Sequence, residues 1–518
     1  MSLVSCSVAP VQKRLIMADV VVLDGVLTWK EIAAIANGAE LGLSAGAWQR
    51  VSKARAIVDA LVEREIRGYG INTGIGALCD VIVDREDQQA LSRNIVLSHA
   101  CGVGEPLGKA ETRAVMTAQI ANFAHGFSGI SVEVVETLLA LLNANFLPVI
   151  PSRGSVGYLT HAAAIGLVLI GEGECRHADE SISGREALKR LALDPIALKA
   201  KEGLSLVNGT PCATGLGALA VSRFFHLLDW ADAAAAMTYE NLGAQADPFA
   251  EMPLSLRHSA GLQQVGRNLR HLLAGSQLLA QSAGSRTQDP LSLRAVPQIH
   301  GAVRDVLRQA VDVVDRELAS VTDNPIVTGS PEAPQVHSQA HAVGAGLGLA
   351  LDSVATAAAE LAAISERRID RLVNPLVSGL PAFLAAENGV CAGFMIIQYT
   401  AAALVAENRR LAAPASLGGG ITSALQEDIL THATPAADKA LAILDNLQTI
   451  LAIEVMAAAQ AYDQQPRSVA KAARTAALYA RARGEVSFYR DDQPLNTVVA
   501  KIRSMMGTTS VGLEGEAS

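Results

Sequence analysis

The chain has 518 residues, of which 50% are hydrophobic, 18% are charged and 4% are aromatic, with a formal net charge of −9. This apolar content is enough for a large buried core, in one big domain or in a few closely packed ones. The acidic balance and the lack of a Lys/Arg-rich run predict no nucleic-acid partner. No run of about 18 uninterrupted apolar residues occurs, which argues against a membrane span.

The cysteine pattern and the N-terminus indicate where the protein resides. Six cysteines are scattered along the chain without a CxxC pair, which favours a reduced, cytoplasmic protein. Residues 1–19 lack the basic start, apolar segment and small-residue cleavage site of a signal peptide. We expect them to form a loose N-terminal extension.

The first elements along the chain read as a short strand followed by helices. The run VVVL predicts a strand, and Thr28 is the expected N-cap of the helix after it. Apolar residues recur at helical spacing over 46–65. The next stretch, RGYGINTGIGALCD, holds four closely spaced glycines and predicts a loop.

Alanine and leucine dominate the composition, and both favour helix. The segments 341–373, 392–411 and 435–462 are apolar nearly all round, as expected of helices buried in a bundle, with Pro435 at the start of the last one. We therefore predict an all-α fold built from long helices.

We expect one large structural unit with two main regions. They are a mainly helical region over 20–200, which carries the loops of Tyr69, His99 and Tyr158, and a long-helix bundle over 201–506. A short tail is expected over 507–518.

Polar residues concentrate in a few stretches between the predicted helices, and each has an ordinary structural explanation when taken alone. His99 fits a hydrogen-bonded structural histidine, Asn208 before a glycine fits a turn, and Arg294 fits a helix cap. His337 and His341 are four residues apart and could share a helix face. Because no acidic partner lies between them, we expect no metal site.

Taken together and in this order, the stretches resemble the aromatic amino acid lyase family, which includes the histidine and phenylalanine ammonia-lyases. The resemblance runs from about Val20 to about Met506 and rests on the motifs YGINTG, LSHACGVG, GSVG, LVNGT, QDPLSLR, VTDNP, SERRI, GFMIIQ and QED. It implies a long-helix bundle of the histidine ammonia-lyase and fumarase type, with a small irregular N-terminal region. It also implies a homotetramer whose active sites are shared between subunits.

The departures from the family pattern concern its reactive centre. In the family, GSVG is followed by Ala-Ser-Gly, which cyclises into an electrophilic imidazolone (MIO), whereas here Tyr158 follows Gly157 directly. Leu291 replaces a tyrosine of the usual acid–base machinery. His341 falls where the family has Asn, and Ala342 falls where it has an aromatic ring. We therefore expect no cofactor.

The resemblance also implies roles for individual residues. Tyr69 matches the catalytic base, for which its pKa must be lowered from about 10. Arg294 matches the arginine that holds the substrate carboxylate, and His99 and Glu427 match positions that contact an imidazole ring. The expected catalytic residues are Tyr69, Glu427, Asn208 and Tyr158, and the expected substrate-binding residues are His99, Arg294, Gln288, Met395 and His341.

These features lead to the hypothesis of an MIO-independent carbon–nitrogen lyase. A quaternary nitrogen departs as neutral trimethylamine without an electrophile, so the expected substrate is a histidine betaine, ergothioneine or hercynine, as in the ergothionase branch of the family. Tyr158 would then face the trimethylammonium group or fill the vacated space. Two alternatives stay open. One is a conventional MIO-dependent ammonia-lyase whose tripeptide is missing only from the sequence as read, and the other is an inactive helical scaffold or binding protein.

Overall fold

The structure is a computed structural model that describes residues 20–387 and 389–513. The predicted extension over 1–19 therefore lies outside the described residues, as does the end of the predicted tail. The division into two regions stays a prediction, although one hydrophobic core contains buried residues from both of them.

Local sequence signals determine the first elements. Strand β1 (Val20–Leu23) pairs in parallel with β2 (Glu40–Leu43). Helix α1 (Trp29–Ala36) begins after Thr28, whose side chain accepts from the Glu31 amide while the Glu31 carboxylate accepts from the Thr28 amide. This reciprocal pair is a capping box, so the predicted N-cap is confirmed.

Helical periodicity correctly located the next element, α2 (Ala45–Glu63). Its apolar positions predicted from spacing are buried in the structure. The remaining helices follow in chain order as α3 (Gln88–His99), α4 (Lys109–Ala124), α5 (Val132–Asn143), α6 (Thr160–Leu169), α7 (Gly184–Arg190), α8 (Glu202–Val207), α9 (Pro211–Leu242), α10 (Glu251–Ser255), α11 (Ala260–Leu273), α12 (Gln277–Ser282), α13 (Leu291–Arg294), α14 (Val296–Leu318), α15 (Ala345–Val373), α16 (Pro375–Ser378), α17 (Met395–Leu411), α18 (Ala433–Asp463), α19 (Ala473–Glu485) and α20 (Leu495–Thr508).

Short strands interrupt the helices at the periphery, and the sequence analysis did not predict them. They form two antiparallel pairs and one three-stranded antiparallel sheet. Their members are β3 (Val103–Pro106) with β5 (Pro151–Arg153), then β4 (Leu147–Pro148) with β6 (Glu174–His177) and β7 (Glu180–Ser183), and then β8 (Ile326–Ser330) with β9 (Ala333–His337). The fold remains mostly helical, as predicted.

The core lies where α9, α14, α15 and α18 pack against one another. The stretches Glu202–Leu242, Ala345–Val373 and Ala433–Asp463 are long and apolar enough to cross a membrane, and their most apolar windows are 100%, 61% and 72% buried within the chain. Helix-to-helix packing inside the chain thus covers much of this apolar surface. Helix α18 begins two residues before Pro435, slightly earlier than expected.

Some stretches predicted as loops are partly helical. The motif QDPLSLR contains the short helix α13, and LVNGT begins with the last residues of α8. Helices α3, α6 and α8 contact one another, and residues at or just beyond their ends reach the candidate site. A rigid helical frame therefore carries the loops that contain the polar residues.

Candidate active site

One open cavity brings together five of the nine predicted site residues. Its volume is about 960 Å³, and its lining includes Tyr69, His99, Tyr158, Asn208 and Glu427. These residues come from segments that are far apart in the sequence. The fold therefore brings together part of the predicted group of side chains.

Tyr69 is held by its own glycine-rich loop. The Gly76 amide donates a 2.9 Å hydrogen bond to the Tyr69 hydroxyl oxygen, and Gly76 has a φ of +54°, in the left-handed region that favours glycine. Burial raises the pKa of Tyr69, the Gly76 hydrogen bond lowers it, and the Glu427 and Cys79 charges raise it. The net direction is upward, so the expectation of a lowered pKa is wrong for this chain.

Glu427 contributes a carboxylate to the cavity. Its Oε2 accepts a 3.0 Å hydrogen bond from the Tyr158 hydroxyl and a 3.2 Å hydrogen bond from the Thr422 hydroxyl. A backbone bridge between Thr422 and Glu427 closes the turn that carries the carboxylate. Burial and the nearby Glu427 charge raise the pKa of Tyr158, so this phenol stays protonated and donates. The carboxylate is therefore oriented before any substrate arrives.

His99 ends α3 and presents its ring to the same cavity. Its Nδ1 lies 2.7 Å from the Ile95 carbonyl oxygen, so Nδ1 donates and Nε2 is the acceptor of a neutral ring. Burial lowers the pKa of His99, while the Ile95 carbonyl and the Glu427 charge raise it. The net lowering favours the neutral form at pH 7.

Asn208 is anchored beneath the cavity by a buried polar network. Its amide nitrogen donates to the Asn324 carbonyl, and its side-chain oxygen accepts from the Gly209 amide at 2.9 Å. Next to it, the fully buried Lys201 ammonium contacts the Asp323 carboxylate at 3.0 Å. The sequence motif VTDNP includes Asp323, but the burial of Lys201 was not predicted, because nothing in the local pattern distinguishes a buried lysine from an exposed one.

The segment after GSVG forms a tight, hydrogen-bonded turn. Ser155 accepts from the Gly157 amide at 3.1 Å and donates to the Tyr158 carbonyl at 3.0 Å. Leu159 then has φ 78° and ψ −77°, and the Thr160 amide donates back to the Tyr158 carbonyl. This is a γ-turn of the rare positive-φ type. It directs the chain into α6 and leaves the Tyr158 side chain on the cavity wall.

The MIO group of the family is formed from Ala-Ser-Gly, and the residues here do not fit it. Tyr158, Leu159 and Thr160 contain neither the serine nor the glycine of that tripeptide. The Tyr158 hydroxyl is already bonded to Glu427.

The other predicted site residues lie elsewhere in the single chain. Gln288 and Arg294 line a second cavity of about 680 Å³, together with Leu291. The Arg294 Nη1 donates to the Asp289 carbonyl at 2.6 Å, and with its amide oxygen facing the guanidinium, Gln288 accepts from Arg294 at 3.1 and 3.2 Å. Met395 begins α17 and is not among the residues that line either cavity.

The two histidines considered as a pair do not share a helix. His337 ends β9, where its Nε2 lies 2.8 Å from the Thr328 hydroxyl, whereas His341 is exposed in a turn before α15. Neighbours of His341 line the Tyr69 cavity, but His341 is not among its lining residues. Within residues 20–387 and 389–513, no three His, Cys, Asp or Glu side chains gather as metal ligands would.

Comparisons with known proteins identify the family of the chain. Residues 27–484 match the family model described as aromatic amino acid lyase. The chain is 44% identical to a histidine ammonia-lyase of Symbiobacterium thermophilum, over 92% of this chain and 94% of that protein. It is also 44% identical to a histidine ammonia-lyase of Anaeromyxobacter dehalogenans, over 92% and 96% of the two chains.

Solved structures show the same fold. Histidine ammonia-lyase from Trypanosoma cruzi superposes with a TM-score of 0.87 at 34% identity, over 95% of this chain and 94% of that chain. The ergothioneine-degrading ergothionase from Treponema denticola superposes with a TM-score of 0.87 at 26% identity, over 95% and 99% of the two chains.

These findings correct the functional hypothesis drawn from the sequence. Relatives that share 44% of residues over nearly the whole chain are named histidine ammonia-lyases, whereas the ergothionase is similar at only 26% identity. The trimethylamine-releasing, ergothionase-like interpretation is therefore wrong, and its stated alternative is better supported. The fold, the motifs in the cavity and the match over residues 27–484 together show that the chain belongs to the aromatic amino acid lyase family.

Proposed function

We propose that this protein is a carbon–nitrogen lyase that removes ammonia from histidine or a closely related imidazole amino acid. The observation that carries the proposal is the Glu427 carboxylate, which is oriented by Tyr158 and lines one cavity with His99 and Tyr69. A carboxylate and a neutral histidine suit the two nitrogens of an imidazole ring, whereas a phenyl ring offers neither of them a hydrogen bond. The relatives named histidine ammonia-lyases support this choice of ring.

In this proposal Tyr69 removes a proton from the Cβ atom of the substrate. The electron pair of that bond forms the Cα–Cβ double bond, and the Cα–N bond breaks with its pair on nitrogen. An amine that is bound as an ammonium group then leaves as neutral ammonia. Burial raises the pKa of Tyr69, so its phenolate, the form that acts as the base, increases with pH. The Gly76 amide, which donates to the Tyr69 oxygen, stabilises that phenolate and offsets part of the effect of burial.

Negative charge that develops at Cβ spreads into the attached ring. The ring is held by Glu427, whose carboxylate favours a protonated imidazole, and a cationic ring accepts that charge more readily. Because the segment 158–160 does not fit the family's prosthetic group, we propose that the chain works with its own side chains and no cofactor. Asn208 is proposed to support the reaction by holding the floor of the cavity.

We further propose a homotetramer in which Arg294 completes the site of a neighbouring subunit. The Tyr69 cavity of one chain contains Arg67, but that guanidinium is paired with Asp80 at 2.7 Å. Arg294 and Gln288 lie in a separate cavity, and in this proposal a second subunit brings them to the substrate carboxylate. Met395 and His341 are proposed substrate contacts on the same basis. The cytoplasmic location also remains a prediction.

The test is a direct assay of the purified protein with histidine, phenylalanine and tyrosine, measuring ammonia and the ultraviolet absorbance of an unsaturated acid. We expect both products from histidine and much less from the other two amino acids. Equal rates with phenylalanine would contradict the ring assignment. Release of trimethylamine from a histidine betaine, with no ammonia from histidine, would contradict the reaction.

Two further measurements address the assembly and the cofactor. Light scattering should show a tetramer, and a fully active monomer would contradict the shared site. The intact mass should equal that of the 518-residue sequence. Extra mass that maps after Gly157 would contradict the proposal of a cofactor-free site.

A further inference from the structure

The loop of Tyr69 and the turn of Glu427 meet where the Gly76–Ala77 segment contacts Ser423. The Ala77 amide donates a 3.1 Å hydrogen bond to the Ser423 hydroxyl oxygen. A methyl group on the Gly76 Cα would overlap that same hydroxyl, although it would lie 3.5 Å from the Ser423 Cβ. With the Ser423 hydroxyl in this position, a side chain at residue 76 would displace it from the Ala77 amide.

The turn that contains Ser423 has an unusual backbone conformation. Ser423, Ala424 and Leu425 have φ values of 51°, 47° and 77°, so three consecutive non-glycine residues lie in the left-handed region. The left-handed conformation raises the conformational free energy by about 1–2 kcal/mol for each such residue. The run is closed by the bridge between Thr422 and Glu427, with hydrogen bonds of 2.9 and 3.3 Å. A turn of this kind persists only where its surroundings specify it.

Two consecutive amides divide their hydrogen bonds between the two loops. The Gly76 amide donates to the Tyr69 oxygen, and the next amide, that of Ala77, donates to Ser423. The Ser423 oxygen thereby fixes the orientation of the Gly76–Ala77 segment. That orientation aims the Gly76 N–H at the Tyr69 phenol.

We propose that Ser423 is a positioning residue that couples the orientation of the Tyr69 phenol to the turn carrying Glu427. The inference rests on the proposed function, in which Tyr69 is the base and Glu427 binds the ring. Ser423 lines the same cavity, but its hydroxyl oxygen accepts from the Ala77 amide, and we assign it no part in the bond-making and bond-breaking steps. It acts through the Ala77 amide, and its effect is read at Tyr69.

The expected effect has a definite sign. Without the Ser423 oxygen, the Gly76–Ala77 segment loosens and the Gly76 donation to Tyr69 weakens. That donation stabilises the phenolate, so the pKa of Tyr69 rises further above its usual value. The ionisable groups that act on Tyr69 are Glu427, Cys79 and Tyr158, and the cavity also holds Arg67, Asp80, His99 and Asp428. Ser423→Ala leaves all of them in place.

The experiment is a double-mutant cycle of Ser423→Ala and Gly76→Ala, with the exposed Ser52→Ala as a matched control. Ser423→Ala should lower kcat about two- to tenfold, as expected for one neutral hydrogen bond, and should move the acidic limb of the kcat profile to higher pH. The KM for histidine should change little, because Tyr158 and Thr422 still hold Glu427.

The cycle distinguishes a specific contact from general damage. Gly76→Ala should be more harmful than Ser423→Ala, because its methyl group overlaps the Ser423 hydroxyl. In the double variant the overlapping oxygen is gone, so part of the activity and of the Tm lost in Gly76→Ala should return. Losses that simply add would overturn the proposal.

A substrate-free measurement separates this inference from the proposed function. The pKa of Tyr69 is read from the phenolate absorbance of the protein minus that of its Tyr69→Phe variant. A rise of this pKa in Ser423→Ala supports the coupling even if histidine proves not to be the substrate. An unchanged pKa overturns it, whatever the activity with histidine.

Discussion

The Tyr158 hydroxyl donates a 3.0 Å hydrogen bond to the Glu427 carboxylate, which joins residues 269 positions apart in the sequence. By the sequence resemblance, Tyr158 is expected at the position where the prosthetic group of the family begins, and Glu427 at a position that contacts an imidazole ring. The structure thus uses the first residue after GSVG to orient the carboxylate that we propose binds the substrate. Substitutions at Tyr158 and at Glu427 can therefore test this pairing directly.

The first prediction concerns Tyr158→Phe, which removes the donor but keeps the aromatic ring. A hydrogen bond to a charged group contributes about 1.5–3 kcal/mol, so affinity for histidine should fall roughly tenfold or more. The measurement is the KM for histidine together with a calorimetric Kd. Tyr399→Phe is the matched control, since Tyr399 is 66% exposed. An unchanged KM would show that Tyr158 only fills space.

The second prediction concerns Tyr69→Phe, which removes the proposed base. General-base catalysis contributes about 10²- to 10⁴-fold, so kcat with histidine should fall by a factor in this range. Binding of histidine should be largely retained, because Glu427 and His99 are untouched. Ammonia release and a calorimetric titration with histidine measure the two effects separately. A variant with more than half of the normal rate would exclude Tyr69 as the base.

The third prediction concerns stability and the buried pair of Lys201 and Asp323. Both side chains are fully buried, and the ammonium lies 3.0 Å from the carboxylate. Lys201→Met leaves an uncompensated buried carboxylate, which costs about 3–5 kcal/mol of unfolding free energy. Denaturant unfolding measures the loss, with the exposed Lys53→Met as control. If the two variants unfolded at the same denaturant concentration, the ion pair would not stabilise the fold.

Local patterns predicted much of the helical architecture. Apolar spacing identified α2, and the Thr28 cap was confirmed because both signals depend on neighbours within one or two helical turns. The short strands were missed because strands of a few residues, such as β4 (Leu147–Pro148), have too little alternation to detect. Burial of Lys201 was also missed, since its partner Asp323 is 122 positions away.

The candidate site was predicted in part. Three residues from the motifs, Tyr69, His99 and Glu427, line one cavity, and their roles stay predictions. The direction of the pKa shift of Tyr69 was not predictable, because the shift depends on burial and on a charge from a distant turn. The role of Ser423 was not visible either. It arises from a left-handed backbone and a glycine 347 positions earlier, and neither is encoded in a local pattern.

The last prediction concerns the charge of Glu427 and its opposite effects on two quantities. In Glu427→Gln the ring loses a charge-assisted hydrogen bond of about 1.5–3 kcal/mol, so turnover of histidine should fall about tenfold or more. The Glu427 charge also raises the pKa of Tyr69. Its removal therefore lowers that pKa, and the acidic limb of the kcat profile should move to lower pH while the maximal rate falls. Rates measured across pH with Glu427→Gln and with the exposed Glu63→Gln as control provide the test. A limb that stayed in place or moved to higher pH would show that the carboxylate does not act on the base, and an unchanged maximal rate would show that it does not bind the ring.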